Sequence, residues 1–341
     1  MAACLMLAGL VPLEGQQPMD RGITAVPGLR VGHHTLTGRP TGCTVVLSEA
    51  GAVAGVDVRG SAPGTRETDL LSPVNSVSEV HAVVLSGGSA FGLSAADGVM
   101  TYLSERNVGY AVGPNRVPIV PAAIIFDLGV GGDPTIRPTS QCGYAAAVAA
   151  TDGPVAEGNI GVGAGATVGK LAGWTRAMKG GVGSASIVYD DGTVVAALVV
   201  VNAVGDVVDP ATGRILAGAR GEDGNTFLDV RRLIRSGTLR GARNSGENTS
   251  LAVVATNARL TKTQATKLAQ MAHDGFARSI YPVHTPVDGD VVFALATGQS
   301  EVPADLLVLG ALAADVVADA VLRAVRAAEG LPGLPAARDV R

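Results

Sequence analysis

The chain has 341 residues, 47% of them hydrophobic and 16% charged, enough length for one large domain or two ordinary ones around a sizeable core. Its formal net charge of −4 gives no electrostatic footprint for nucleic acid or for a membrane surface. Aromatic residues are only 3%, so Val, Ala, Leu and Ile must build the core, and 46 glycines point to many tight turns and close backbone contacts.

The N-terminus opens with an apolar stretch, Ala2 to Leu13, which is like a signal h-region but has neither a basic n-region nor a small-x-small cleavage site. Residues 1–21 therefore read as an extension, with Met19 as an alternative start, and the expected location is the cytoplasm. Cys4, Cys43 and Cys142 show neither metal-ligand spacing nor a disulfide framework. The five histidines include no helical His-x-x-x-His pair, so no metal is expected.

Short apolar runs rich in β-branched residues predict strands at Thr44–Leu47, Ala82–Leu85, Ser186–Tyr189, Val194–Val201, Leu251–Ala255 and Val291–Ala296. They are apolar at nearly every position, which predicts sheets covered on both faces. The "DDG" between Tyr189 and Val194 is a hairpin signal. Helices are predicted over Ala90–Arg106 with Ser89 as N-cap, over Gln141–Ala150, and over Ala265–Ser279 behind a Thr261/Gln264 capping box. A long one follows at Leu306–Ala328, where Asp315, Asp319, Arg323 and Arg326 mark one wet face and argue against a membrane span. Strands come in adjacent pairs as well as alternating with helices, so a simple doubly wound parallel sheet is not expected.

Several motifs are weaker than they look. Gly161-Val-Gly163-Ala-Gly165-Ala166 nominally fits a dinucleotide loop, but it lacks a preceding strand and a well-spaced acid, and Gly169-Lys170 lacks the rest of a Walker loop. So dense a glycine run still predicts backbone pressed against a ligand or another segment. "LSGGSAFGL" at Leu85 lacks the nucleophile-elbow spacing, so Ser89 is not a hydrolase serine. In "RGSAPGTRETDLL", the charges Arg66, Glu67 and Asp69 read more readily as ion pairs pinning a loop than as a substrate clamp. Residues 218–248 form a long polar segment whose arginines, Arg231 to Arg243, read as a solvated run.

Three features at strand mouths carry chemistry. The polar Asn248, Thr249 and Ser250 abut the apolar run that begins at Leu251, as a strand cap would, or as a nucleophile held by its strand would. Asn202 interrupts an apolar run and reads either as a strand-end turn or as a side-chain oxyanion donor. Asp288 and Asp290 flank Gly289 just before a strand, where they either cap a turn or assist a nucleophile. If that segment is extended, both carboxylates lie on one face, and like charges that close keep one of them partly protonated.

Ordered matches run along nearly the whole chain. They include "GITAVPGLRVGHHT" at Gly22, "GVDVRGSAPGTRETDLL" at Gly55, "VVLSGGSAFGLSAADGVM" at Val83 and "VPIVPAAIIFDL" at Val117. Further on come "MKGGVGSAS" at Met178, "VNAVGDVVDPATG" at Val201, "NTSLAVVATNARLTK" at Asn248 and "HTPVDGDVVFALATG" at His284. On these stretches the sequence resembles the DmpA family, the L-aminopeptidase/D-esterase (β-aminopeptidase) family of self-cleaving hydrolases. The resemblance implies an α/β fold, an αββα layered sandwich shared with ornithine acetyltransferases, over a single hydrolase domain, 22–341. It implies self-cleavage between Asn248 and Thr249 into a chain ending at 248 and a chain 249–341, with Thr249 as nucleophile and Asn202 as oxyanion donor. Asp288-Gly289-Asp290 falls on the family's Ser-Gly-acid motif, with Asp288 in place of serine, and the family's tyrosine beside the oxyanion Asn has no clear match. No cofactor is implied. The expected partner is a short peptide or small amide or ester, and the expected assembly is a homotetramer of cleaved protomers. An acyltransferase of the same fold and an uncleaved ligand-binding protein are the alternatives.

Overall fold

The computed structural model describes residues 20–239 and 248–340. Its main sheet has nine strands, numbered in chain order: β1 (Arg30–Thr35), β2 (Gly42–Val58), β3 (Thr65–Arg66), β4 (Glu79–Ser86), β5 (Ala122–Ile124), β6 (Gly181–Val188), β7 (Val194–Asn202), β8 (Thr249–Thr256) and β9 (Val291–Ala296). Their spatial order is β6-β7-β8-β9-β2-β4-β5-β3, with β1 also on β2. β8 runs parallel to β9, and β4 to β5; the other pairs are antiparallel. Among the described residues five α-helices accompany them: α1 (Ala95–Ser104), α2 (Ser140–Val148), α3 (Val230–Arg235), α4 (Lys262–Ser279) and α5 (Leu306–Ala327).

β2 is the pivot of the sheet. Its first half pairs with β1 and β4, its second half with β9, and the register against β4 shifts between Leu47 and Ala52. Such a bulge bends a strand and increases its twist. Side chains alternate across each strand, and the two faces of β8 go to different cores. Leu251, Val253 and Ala255 join Val46, Ala54, Val83 and Leu85 from β2 and β4 between the two halves of the sheet. Ala252 and Val254 join Leu268 and Phe276 of α4 and Val317 and Val321 of α5. A third core lies between the other faces of β2 and β4 (Val45, Leu47, Ala82, Val84) and Val99, Leu103 and Ala146 of α1 and α2. The layers are thus helix, sheet, sheet, helix, the α/β arrangement implied by the resemblance. Strands buried on both faces explain why the apolar runs scarcely alternate.

Local rules held where one element contains its own signal. Thr261 and Gln264 form the capping box of α4, and Asp305 caps α5 through the Leu307 and Val308 amides. The hairpin between β6 and β7 closes with Tyr189 N–H on Thr193 O. Two expectations are corrected. Ser89 caps no helix: it stands at φ +56° and opens a 3-10 turn, Ser89–Ser94, from which α1 continues. Cys43 and Cys142 are joined as a disulfide between β2 and α2, a pairing across 99 residues that sequence spacing does not reveal. The N-terminal stretch 1–19 and residues 240–247 of the polar segment lie outside the described residues. Upstream of residue 240 the segment carries the short helix α3, capped by Asp229 on the Arg232 amide.

The glycine-rich stretch is a place where chain segments approach one another closely, as so dense a glycine run predicts. A Cβ on Gly165 would stand 2.6 Å from Asp127, and one on Gly161 2.4 Å from Thr44 Oγ1. The buried Lys179 ammonium bridges this stretch, donating to the carbonyls of Gly163, Ala166 and Gly180. Among the described residues no helix is long and apolar enough to cross a membrane.

Candidate active site

The antiparallel register of β7 on β8 sets Asn202 opposite Thr249, so the last residue of one strand faces the first of the next. Asn248, immediately before it, makes a parallel bridge to Asp288. All six residues singled out at strand mouths come together, and all are buried: Asn202, Asn248, Thr249, Ser250, Asp288 and Asp290 are each at most 3% exposed.

Two donors converge on the carbonyl oxygen of Asn248. The Thr249 hydroxyl donates to it at 2.5 Å, and the Gly289 N–H donates to it at 2.8 Å. Donors placed on a carbonyl oxygen polarise it and stabilise negative charge developing there. Gly289 has to be glycine for this approach, because a Cβ would stand 2.9 Å from Thr249 Oγ1 and 2.6 Å from Ala62 O.

Asn202 is held at both ends of its amide. Its Nδ2 donates to Phe126 O at 3.1 Å, while Oδ1 accepts from Thr167 N–H at 3.0 Å, the Thr167 hydroxyl at 3.2 Å and Lys170 Nζ at 2.9 Å. Lys170 Nζ also donates to Asn202 O at 3.0 Å. The Lys170 segment is itself pinned to the turn after β7 by Gly169 N–H on Gly205 O and Leu171 N–H on Val204 O. An ammonium beside Asn202 makes this corner of the site electropositive, and the Trp174 ring lies 5.5 Å from Lys170 Nζ. Sequence reasoning passed over Lys170, having met it only as part of a failed nucleotide loop. Its one signal was a lysine inside an otherwise apolar, glycine-rich stretch with no acid nearby in sequence.

The two acids have different partners. Asp290 Oδ1 accepts the Ser250 N–H at 2.6 Å, and its Oδ2 accepts the His284 N–H at 2.9 Å and His284 Nδ1 at 2.8 Å. Asp288 Oδ2 accepts the N–H of Thr285 at 2.9 Å and also its hydroxyl. Burial, and then the neighbouring Asp290 charge, push the Asp288 carboxyl up to about 6; the Thr285 hydrogen bonds and Lys170 act in the opposite direction. In the continuous chain, therefore, Asp290 grips the amide after Thr249, and neither acid hydrogen-bonds the Thr249 hydroxyl. His284 is a second residue missed from sequence.

The "RGSAPG" loop lies directly over these acids. Arg59 and Gly60 N–H groups donate to Asp290 O, and Ala62 N–H donates to Asp288 O. A Cβ on Gly60 would come within 2.2 Å of Asp290 N. The charged end of the same motif points elsewhere: Arg66 pairs with Asp97 of α1, while Glu67 and Asp69 are exposed. Among the described residues no three His, Cys, Asp or Glu side chains cluster as a metal site. A cavity of about 210 Å³ between Tyr189, Asp191, Val302 and Val308 sits by the hairpin at the far end of β7 and includes none of these groups.

The family model described as "Peptidase family S58" matches residues 21–338. An uncharacterized aminopeptidase of Mycobacterium tuberculosis is 46% identical over 343 residues, covering 93% of this chain and 97% of the relative. A 6-aminohexanoate-oligomer endohydrolase of a Kocuria species is 31% identical over 314 residues, covering 88% of this chain and 84% of the relative. In fold, the chain is similar to the L-aminopeptidase D-Ala-esterase/amidase of Ochrobactrum anthropi, an Ntn-hydrolase variant, with a TM-score of 0.68 at 21% identity over 92% of this chain and 89% of that one. These findings agree with the resemblance read from the sequence motifs. The chain belongs to peptidase family S58 and is a peptide hydrolase.

Proposed function

We propose that the protein is a self-processing aminopeptidase or amidase whose nucleophile is Thr249. The observation that carries this reading is the pair of donors on the Asn248 carbonyl oxygen, one of them the Thr249 hydroxyl itself. In processing, Thr249 Oγ1 attacks the Asn248 carbonyl carbon while the Gly289 N–H stabilises the oxyanion. The C–N bond breaks, the Thr249 nitrogen takes up the proton lost by the hydroxyl, and an ester remains. Water hydrolyses the ester, leaving a carboxylate on Asn248 and a free amine on Thr249.

That amine, with a reference pKa of about 7.7–8.0, is close enough to neutral to serve as base for its own hydroxyl. In turnover the hydroxyl attacks a substrate amide or ester, Asn202 is the side-chain donor to the oxyanion, and water releases the acyl group. Asp290 fixes the backbone next to the nucleophile, and Asp288 tunes it. Holding hydroxyl, amine and oxyanion donor on two paired strands is the pre-organisation that such chemistry needs. The substrates proposed are short peptides with a free N-terminus and small amides or esters. The names of the relatives, an aminopeptidase and an oligomer endohydrolase, both point to amide cleavage. The proposed assembly is a homotetramer of cleaved protomers. The proposed location is the cytoplasm, against which the Cys43–Cys142 disulfide stands, since disulfides persist mainly in oxidising compartments.

Intact mass and N-terminal sequencing test the reading. The purified protein is expected as two fragments, the smaller running from Thr249 to Arg341, and Thr249→Ala as one chain. A small fragment that begins at Ser250, or normal processing of Thr249→Ala, overturns the assignment. Product analysis with an added amine acceptor then separates hydrolysis from acyl transfer.

A further inference from the structure

His284 has no part in the chemistry described so far, yet it makes two of the three hydrogen bonds on the Asp290 carboxylate. A carboxylate only accepts, so the Nδ1 of His284 carries the proton that it shares with Asp290 Oδ2, and the same oxygen takes the His284 backbone N–H. Both donors reach one oxygen, and His284 stands at φ +56°, in the left-handed region. The Nε2 is buried and has no partner, so a proton there would lack an acceptor. The ring is also held from behind. His273 of α4 packs edge-on at 4.6 Å between centroids, and its own Nε2 lies 3.0 Å from Asp57 O. Burial lowers the His273 pKa to about 4, so this neighbour is a neutral wall.

We propose that His284 is a positioning residue for the reaction at Thr249: its imidazole and its own amide clamp one oxygen of Asp290, so that the other oxygen fixes the Ser250 amide and with it the residue that follows the nucleophile. The inference rests on the reading of Thr249 and Asp290 given above. A functional acid held by a fixed imidazole tautomer inverts the familiar order, in which an acid orients a functional histidine. The charged and titratable groups around the pair explain why a clamp is needed. Asp288 lies on the same turn, Lys170 acts on Asp288 from across the site, and Asp57, Arg59 and His273 stand behind the rings. Asp288 and Asp290 are both buried and close together, and donors on a carboxylate favour its charged form.

The test compares His284→Gly with His284→Asn in processed protein, alongside Asp290→Asn. Glycine keeps the left-handed backbone and its N–H but removes the imidazole. Asparagine tolerates that backbone and places an amide N–H near the lost Nδ1. His284→Gly is expected to lose kcat roughly 10- to 100-fold, the size of effect when an orienting partner is removed. KM should change little, and the acidic limb of the pH profile should move to higher pH. His284→Asn, or imidazole added to His284→Gly, should recover most of that loss. Unchanged turnover in His284→Gly, or equal losses in both variants with an unmoved acidic limb, overturns the clamp. Normal turnover in Asp290→Asn overturns the reading of Asp290, and the clamp with it; an inactive Asp290→Asn beside an unaffected His284→Gly overturns the clamp alone. Should His284→Gly fail to fold, the ring proton of His284 in Thr249→Ala protein decides by NMR: a proton on Nδ1 supports the clamp, and one on Nε2 only overturns it.

Discussion

Asn202 and Thr249 are register partners across the antiparallel strands β7 and β8. Strand pairing places an amide side chain and a hydroxyl at the same end of the sheet, where both strands stop being apolar. The pairing sets their separation; no loop has to find it. Rigid elements hold a reacting constellation better than loops do.

Gly289 offers the sharpest test of the processing geometry. A methyl group there would meet Thr249 Oγ1 at 2.9 Å and the Ala62 carbonyl at 2.6 Å. The latter is backbone and cannot swing away. Gly289→Ala is therefore expected to fold but to remain largely unprocessed, because the turn must shift and carry its N–H off the Asn248 oxygen. Timed intact-mass measurements after expression check this; processing at the rate of the parent chain would show that the Gly289 N–H is not needed.

Asn202 is predicted to act on turnover and on stability by separate amounts. Loss of an oxyanion donor costs about 10²- to 10³-fold in kcat. Asn202→Ala also takes an acceptor from Thr167 and from Lys170, and a buried donor deprived of its partner costs about 1–3 kcal/mol. Both a kcat loss of that size and a lowered Tm are expected. A lowered Tm with kcat intact would make Asn202 a strand-end anchor and nothing more.

The parts legible in sequence were those whose signal is local. The capping box of α4, the hairpin after Tyr189 and the run Val291–Ala296 each contain their own evidence, and the structure reproduces them. β2 was legible only at Thr44–Leu47, because beyond the bulge it reads "SEAGAVAG", with Glu49 and small residues in place of a β-branched run. Burial of that second half comes from β9 and β4, which no local window contains. The site divides in the same way. Thr249, Asn202 and the two acids stood out as polar residues at the mouths of apolar strands. Lys170 and His284 did not, because their partners lie 32 and six residues away and only folding brings them together. The same is true of the Cys43–Cys142 bond.

The raised pKa of Asp288 has a signed consequence for stability. A carboxyl that titrates at about 6 in the folded chain, and near 3.9 when unfolded, binds more protons in the folded state between those values. Stability therefore falls as pH rises through that window and is flat above it, so the ionised Asp288 weakens the fold at neutral pH. Asp288→Asn keeps an acceptor for Thr285 and removes the charge. Its Tm relative to the parent chain should be higher at about pH 7 than at about pH 4. A difference in Tm that does not depend on pH would show that Asp288 titrates alike in both states.

The two acids should separate in turnover. Asp290 grips the Ser250 amide on one oxygen and His284 on the other, so Asp290→Asn must turn an N–H toward one of two existing donors. Asp288 faces Thr285, off the strand that carries Thr249. Asp288→Ser removes a buried like charge and restores the residue type of the family motif. Asp290→Asn is accordingly expected to damage kcat far more than Asp288→Ser, with both measured on material confirmed as cleaved, since slow processing would mimic lost turnover. An inactive Asp288→Ser beside a nearly normal Asp290→Asn would reverse the two roles. Full activity in both would reduce the pair to a turn cap, and the assistance to Thr249 would have to come from its own amine and from the Lys170 corner of the site.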